Sequence, residues 1–459
     1  MAVELAQVGS YLETFTAFTQ ETAPDTPQWL RRLRESAFAR FYHAGFPSTR
    51  DEDWRFTNLS ALTRTSFRLP RKVVLTAADI ANWRMKDAAA QIVFIDGQFV
   101  PELFLKGALP EGAAVGGLWQ EIASGTKGLT EHLGRYINIE RDPFCALNTA
   151  FVQDGAYVHV RRGTVVEAPI HLLFISTASE TPAMTHPRNL IIVEEQAQVS
   201  IVEEYVSFGE ETPAFSNAVT ELVAGDNANV VHTLIEREHV QTFNFSTLRI
   251  EQARSANVTS HSLLLGGGLV RNNVHPVLAG EGGECLINGL FIGSGHQHLD
   301  NYMLVEHAKP HCASRQFYNG ILDAQSHGVF HGRIIVHKDA QKTDAKQTNR
   351  NLLLSDDAQI DTKPQLEIYA DDVKCTHGAT IGQIEETALF YLRSRGIAET
   401  EARRLLLQAF AGECLERLSA GPLRSYAEAA VQERLVALAE APRAQSSGAI
   451  RDLNWEEVQ

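Results

Sequence analysis

The chain has 459 residues, more than one compact core usually fills, so two or three domains are expected. Its 44% hydrophobic and 21% charged residues belong to a globular protein rather than a disordered or fibrous one. A net charge of -15, with no Lys/Arg cluster interleaved with aromatics, disfavours nonspecific binding to DNA, RNA or an anionic membrane.

The start, MAVELAQVGSYLETF, has neither a basic region nor a clean apolar stretch of signal-peptide type. No apolar run is long enough to span a bilayer, so the expected location is the cytoplasm. Residues 1–150 read as mostly helical. In residues 28–43 (QWLRRLRESAFARFYH), Trp29, Leu30, Leu33, Ala37 and Phe41 lie near one stripe, with Pro27 before and Gly45 and Pro47 after. AQIVFIDGQFV predicts a hairpin turning at Asp96-Gly97, and residues 118–137 are read as helical.

From Ala156 the pattern becomes short apolar or alternating runs separated by small turn residues. A small-residue turn returns at Ala197, Ala228, Ala256, Gly283 and Ala313, a quasi-regular step in the range of solenoids. Residues 151–384 therefore read as a β-helix or related β-solenoid, whose turns share one core because none can bury its own inner face. A β-sandwich is the alternative. Residues 385–459 return to helical periodicity, with a short helix before Gly396, a second over 400–418 and a third over 426–438. The polar tail from Ala441 is expected to fray.

The chemistry concentrates in residues 349–396. Cys375 and His377 stand two apart in a strand-like run, so thiol and imidazole share a face, a pairing suited to a transition metal or an iron–sulfur species. Asp371 and Val373 continue the alternation, which adds a carboxylate if the strand is regular. A buried Cys is often only a small hydrophobe, so the spacing alone is a weak signal. Histidines crowd between His296 and His337 (His296, His298, His307, His311, His327, His331, His337). Stacked turns would align them, and hydrogen-bonded packing is favoured over an iron-handling surface. Cys285 and Cys312, about one turn apart, read as small buried residues. Five scattered cysteines without a C-x-x-C pair argue against a disulfide framework and a structural zinc site. Gly266-Gly267-Gly268 lacks the Lys-Ser/Thr of a phosphate loop and reads as a turn. No nucleophile elbow or dinucleotide fingerprint is present.

The strings LLLS (352–355), DTKPQLEIYADDVKCTHGAT (361–380) and FYLRSRGI (390–397), with GFPSTRDEDWRFTN (45–58), LNTAF (147–151) and FHGRIIV (330–336), closely resemble the SufB/SufD family of iron–sulfur cluster assembly proteins. The absence of the extra cysteine-rich motif of SufB-like scaffolds places the resemblance on the SufD side. It implies a right-handed parallel β-helix core flanked by helical regions, and a noncatalytic role. It implies pairing with a SufB-like paralogue through the last turns, and a SufC-like ABC-type ATPase docked on the C-terminal helices. Cys375 and His377, His377 above all, would contribute to a transient iron or iron–sulfur cluster shared with the partner, with no tightly bound cofactor. Whether a homodimer forms when partners are absent is left open by the sequence. The competing readings are a carbohydrate-active β-helix enzyme, for which no convergent carboxylates stand out, and an inert structural homodimer.

Overall fold

The computed structural model describes residues 2–440 apart from 179, 210 and 211. From Ile170 the chain winds into a parallel β-solenoid of about eight turns built on two facing sheets. The first sheet runs from Ile170–Thr177 through Gln198–Phe208, Asn229–Arg237, Asn257–Leu264, Glu284–Gly293, Ala313–Leu322 and Asp344–Leu353 to Lys374–Gly382. The second runs from Arg188–Val193 through Ala214–Ala224, Thr242–Gln252, Leu269–Leu278, His298–His307 and His327–Val336 to Gln359–Ile368. Every one of these neighbours pairs in parallel, which removes the sandwich alternative, since sandwich sheets are antiparallel.

The recurring turn has a conformational cause. Gln196, Asn227, Ser255, Gly282, His311 and Lys342 all take positive φ, from 54° to 72°. That conformation costs energy for most side chains. Each of their N–H groups donates to a carbonyl of the next turn at 2.7 to 3.2 Å, which holds the corner in place. The small residue follows at once and packs inside: Ala197, Ala228 and Ala256 are fully buried. The register corrects the fifth repeat. Ala313 pairs with Glu284, so the residue equivalent to Gly283 is Cys312, whose Sγ points at the Gly280 carbonyl, 3.3 Å away. A thiol is small enough for the corner but was not counted among small turn residues.

The N-terminal region closes one end of the solenoid. Ala90–Ile95 extends the first sheet in parallel with Ile170–Thr177 and forms the expected hairpin with Gln98–Phe99. Residues 118–137 are not one helix: Leu118–Ser124 and Leu129–His132 are separated where Gly125 and Gly128 take positive φ. Helix Gln28–Ala44 agrees with its pattern and is preceded by helix Ala2–Thr22. Thr14, Thr16, Thr19 and Thr22 in that first helix return hydroxyl bonds to carbonyls four residues back, a habit of weak helix formers that hid it in the sequence.

The solenoid interior is one apolar core from Ala89 to Ala370. Aromatics of the N-terminal helices, with Trp54 and Phe67, cover the outer face of the second sheet at Phe215 and Phe245. The C-terminal helices Glu386–Ser394, Glu399–Leu415 and Pro422–Glu440 follow the last strand. Leu407, Phe410, Ala427, Val431 and Leu435 of the last two pack on Val202, Ile235, Leu263 and Ile292 of the first sheet's outer face. The tail expected to fray lies outside the described residues. No helix among the described residues is long and apolar enough to cross a membrane.

Candidate functional site

Cys375 and His377 sit on Lys374–Gly382, the last strand of the first sheet. Its register against Asp344–Leu353 sets Cys375 beside Ala345 and His377 beside Gln347. Both therefore belong to inward-pointing columns of the solenoid. One column runs Val199, Val230, Val258, Cys285, Ser314, Ala345, Cys375; the next runs Ile201, His232, Ser260, Ile287, Gln316, Gln347, His377. In the inner turns these positions are closed: Cys285 and Ser314 are 0% exposed, and Gln347 is 1% exposed. Among the described residues the last strand has a neighbour on one side only, so the same columns open there. Cys375 is half-buried against the core and His377 is exposed. Burial pushes the Cys375 thiol above its ordinary value; the N–H of Ala345 acts against this and the charge of Asp344 reinforces it.

Asp371 does not join this face. The strand begins at Lys374, and residues 371–372 form the preceding corner, where Asp372 pairs with Lys342. Val373 packs partly buried on the core. The carboxylate predicted from alternation is therefore exposed in a turn.

The histidines align in part, and each aligned one has its own partner. His298 and His327 are direct neighbours on the outer face of the second sheet, with ring centroids 4.8 Å apart. His298 Nε2 lies 3.0 Å from Thr57 Oγ1, and His327 Nε2 lies 2.8 Å from Asp361 Oδ2. His331 bonds Gln365 at 2.8 Å, and His307 turns inward to Ser314 at 2.8 Å. His311 and His337 stand near Glu281 and Glu306 at corners, and His296 is exposed. No group of three His, Cys, Asp or Glu among the described residues is placed to hold a metal. The packing reading of this cluster stands. Cys285 and Cys312 are buried in the core in different columns, so they do not face one another in register.

The segment around Trp54 lies in the string 45–58 that carries part of the family resemblance. It forms a strap over the second sheet. Trp54 stacks on Phe144, and the Arg271 guanidinium lies 3.8 Å from the Trp54 ring centroid and 4.8 Å from that of Tyr302. Arg271 and Thr57 both bond Asp300 at 2.5 Å. Glu52 reaches Lys363 at 2.9 Å, which ties the strap to the last strand of that sheet. Each residue alone reads as ordinary surface; only the register joins them. On the short helix Glu386–Ser394, Phe390 is 71% and Tyr391 is 56% exposed.

These features define a β-solenoid protein that presents a thiol and an imidazole side by side on an uncovered last turn, with an exposed aromatic pair on the helix beyond. Two family models match the chain: "SUF system FeS cluster assembly, SufBD core domain" over residues 174–410 and "SufBD protein N-terminal region" over residues 6–172. The chain belongs to the SufB/SufD family of iron–sulfur cluster assembly proteins. It is similar to the iron–sulfur cluster assembly protein SufD of Escherichia coli, 32% identical with 92% of this chain and 95% of that one covered. A SufBD family protein of Synechocystis is 38% identical over 82% of this chain and 85% of its own length. SufD of Bacillus subtilis is 24% identical over 91% and 95%.

Proposed function

We propose that this protein is a noncatalytic subunit of an iron–sulfur cluster assembly complex. Its last turn pairs with a SufB-like paralogue, and its C-terminal helices carry a SufC-like ABC-type ATPase. Cys375 and His377 act as ligands to iron or a nascent cluster shared with that partner, the cluster being cargo. The observation that carries this reading is the opening of two interior columns at the last turn, beside an unpaired strand edge. An unpaired edge needs covering, and a second solenoid end supplies the complementary backbone groups. The thiol pushed up by burial binds metal only as the thiolate, so iron would displace its proton. His377, exposed on the same face, can offer a ring nitrogen to the same metal. ATP hydrolysis falls to the partner because the sequence lacks a phosphate loop. Phe390 and Tyr391 are the aromatic anchors an ATPase would bury.

The test is co-expression with SufB-like and SufC-like proteins and absolute mass by light scattering. A particle with one SufB-like chain, one copy of this chain and two ATPases is expected; this chain eluting alone from the mixture would sink the assembly reading. His377→Ala is then expected to leave that particle intact while lowering cluster formation. Equal cluster yield would remove His377 from the mechanism.

A further inference from the structure

Between the strands Gln198–Phe208 and Asn257–Leu264 the interior of the solenoid turns polar. Glu203, His232 and Ser260 belong to the first sheet, Thr220 and Ser246 to the second, and all five line one small cavity between the sheets. All five are buried, His232 at 2% and Ser246 at 5% exposure. Glu203 is well supplied with donors. It accepts Tyr205 OH at 2.6 Å, Thr220 Oγ1 at 2.8 Å and His232 Nε2 at 3.1 Å. Burial raises its carboxyl, but the hydrogen bond and charge of His232 and the hydroxyls of Tyr205 and Thr220 outweigh that and hold it below the ordinary glutamate range. An ionised carboxylate only accepts, so His232 Nε2 carries the proton it shares with Glu203.

The rest of the cavity wall is not supplied. His232 Nδ1, Ser246 Oγ and Ser260 Oγ are shut off from solvent and have no partner in the protein. His232 pairs directly with Ser260, so the two share an inner column, and Ser246 lines the same cavity from the opposite sheet. Polar groups left unmet in a core are costly, and native cores rarely keep them. The space open to the centre of a water molecule is about 10 Å3, close to what one water needs. The chemistry narrows the occupant. A divalent cation would find one carboxylate that already holds three donors, and an anion would face that same charge. What fits is a small neutral molecule that both donates and accepts.

We propose that His232 Nδ1, Ser246 Oγ and Ser260 Oγ bind one water molecule, which bridges the two sheets inside the solenoid. Three polar partners are the usual number for a buried water. His232 Nε2–H is committed to Glu203, so the water donates to Nδ1 of the neutral ring or accepts from Nδ1–H of the charged one. The serine hydroxyls rotate to supply whichever bonds remain. The water thereby holds the imidazole plane against Glu203 and gives the polar level of the core the cross-sheet contact that apolar side chains give elsewhere. The site is separate from Cys375 and His377 and does not depend on their role.

Urea unfolding of the full-length protein with Ser246→Ala and Ser260→Ala tests this through the sign of the effect. A hydroxyl bonded to the water is lost at a cost, so each variant is expected to raise the unfolding constant about 5-fold and to lower the urea midpoint. Without the water each hydroxyl is a buried group with no partner, and its removal would leave the midpoint unchanged or raise it. That result in either variant would overturn the proposal. Should a variant fail to fold, a high-resolution crystal structure of the unaltered protein decides. One solvent peak within hydrogen-bond distance of His232 Nδ1, Ser246 Oγ and Ser260 Oγ supports the site, and no peak between them refutes it.

Discussion

Glu204 is the carboxylate that fastens the last helix to the solenoid, and Glu204→Gln isolates its charge while keeping its shape. It is 0% exposed on the outer face of the first sheet and gathers three donors: His171 Nε2 at 2.8 Å, Tyr426 OH at 2.7 Å and Arg237 Nη2 at 2.5 Å. Gln91 donates its amide N–H to His171 Nδ1 at 2.8 Å, which leaves Nε2–H to face Glu204. The glutamine keeps one acceptor oxygen but brings an N–H into a ring of donors. Losing one partner of a buried pair costs about 3–5 kcal/mol. Arg237 retains Glu433 and the face of the Tyr426 ring, so the lower end applies. About 3 kcal/mol corresponds to roughly 100-fold in the equilibrium that lifts the helix. Hydrogen exchange reads this directly: amides of Pro422–Glu440 should exchange roughly 100-fold faster, while those of Glu284–Gly293 stay protected. Unchanged helix protection would refute the reasoning, and equal loss in both segments would show that Glu204 holds the solenoid rather than the helix. The same residue sets an acid limit. Burial raises its carboxyl, but the hydrogen bond and charge of His171 and the charge of Arg237 outweigh that and hold it below the ordinary glutamate range. A depressed folded value gives stability that is complete above the unfolded value and lost as pH falls through the folded one. Helix protection should thus hold through neutral pH and decline only below about pH 4.5, an acid arm absent from Glu204→Gln.

Gly320→Ala would set a Cβ 2.3 Å from Phe291 Cζ and 2.5 Å from Asn351 Oδ1, both interior, so a loss of about 1–3 kcal/mol is expected in the urea midpoint. Alkylation of Cys375 should be slow at neutral pH and quicken as pH rises, because burial raises its thiol; a rate flat with pH would contradict that assignment. Cys285, buried deep in the same column, should stay unlabelled until the protein unfolds. Trp54→Ala removes the stack on Phe144 and the ring under Arg271, so the strap should become protease-sensitive at Arg50 and Arg55; an uncut strap would mean that Glu52–Lys363 and Thr57–Asp300 hold it unaided.

The solenoid was legible because its corners repeat a local demand. A left-handed residue followed by a small one returns each turn, and a repeat in sequence is all that is needed to see it. What blurred the count was chemistry: Cys312 fills the small position without belonging to the usual small residues. The helix Ala2–Thr22 escaped for the opposite reason, since its threonines satisfy themselves locally and leave little propensity to read. Residues 118–137 carried enough apolar spacing for a helix, but Gly125 and Gly128 interrupt it where their positive φ turns the chain.

The spacing of Cys375 and His377 told that they share a face, and no more. Which face, and whether it is covered, is set by register against Ala345 and Gln347 and by the absence of a following strand in the described sheet. Cys285 shows why this matters. It occupies the same column as Cys375, it is the same residue type, and its burial pushes its thiol above the normal range. A neighbour on both sides makes it core, whereas a neighbour on one side leaves Cys375 half-buried. The environment of a side chain on a solenoid is therefore assigned by position along the stack as much as by residue type, and the last turn is where an interior column becomes accessible.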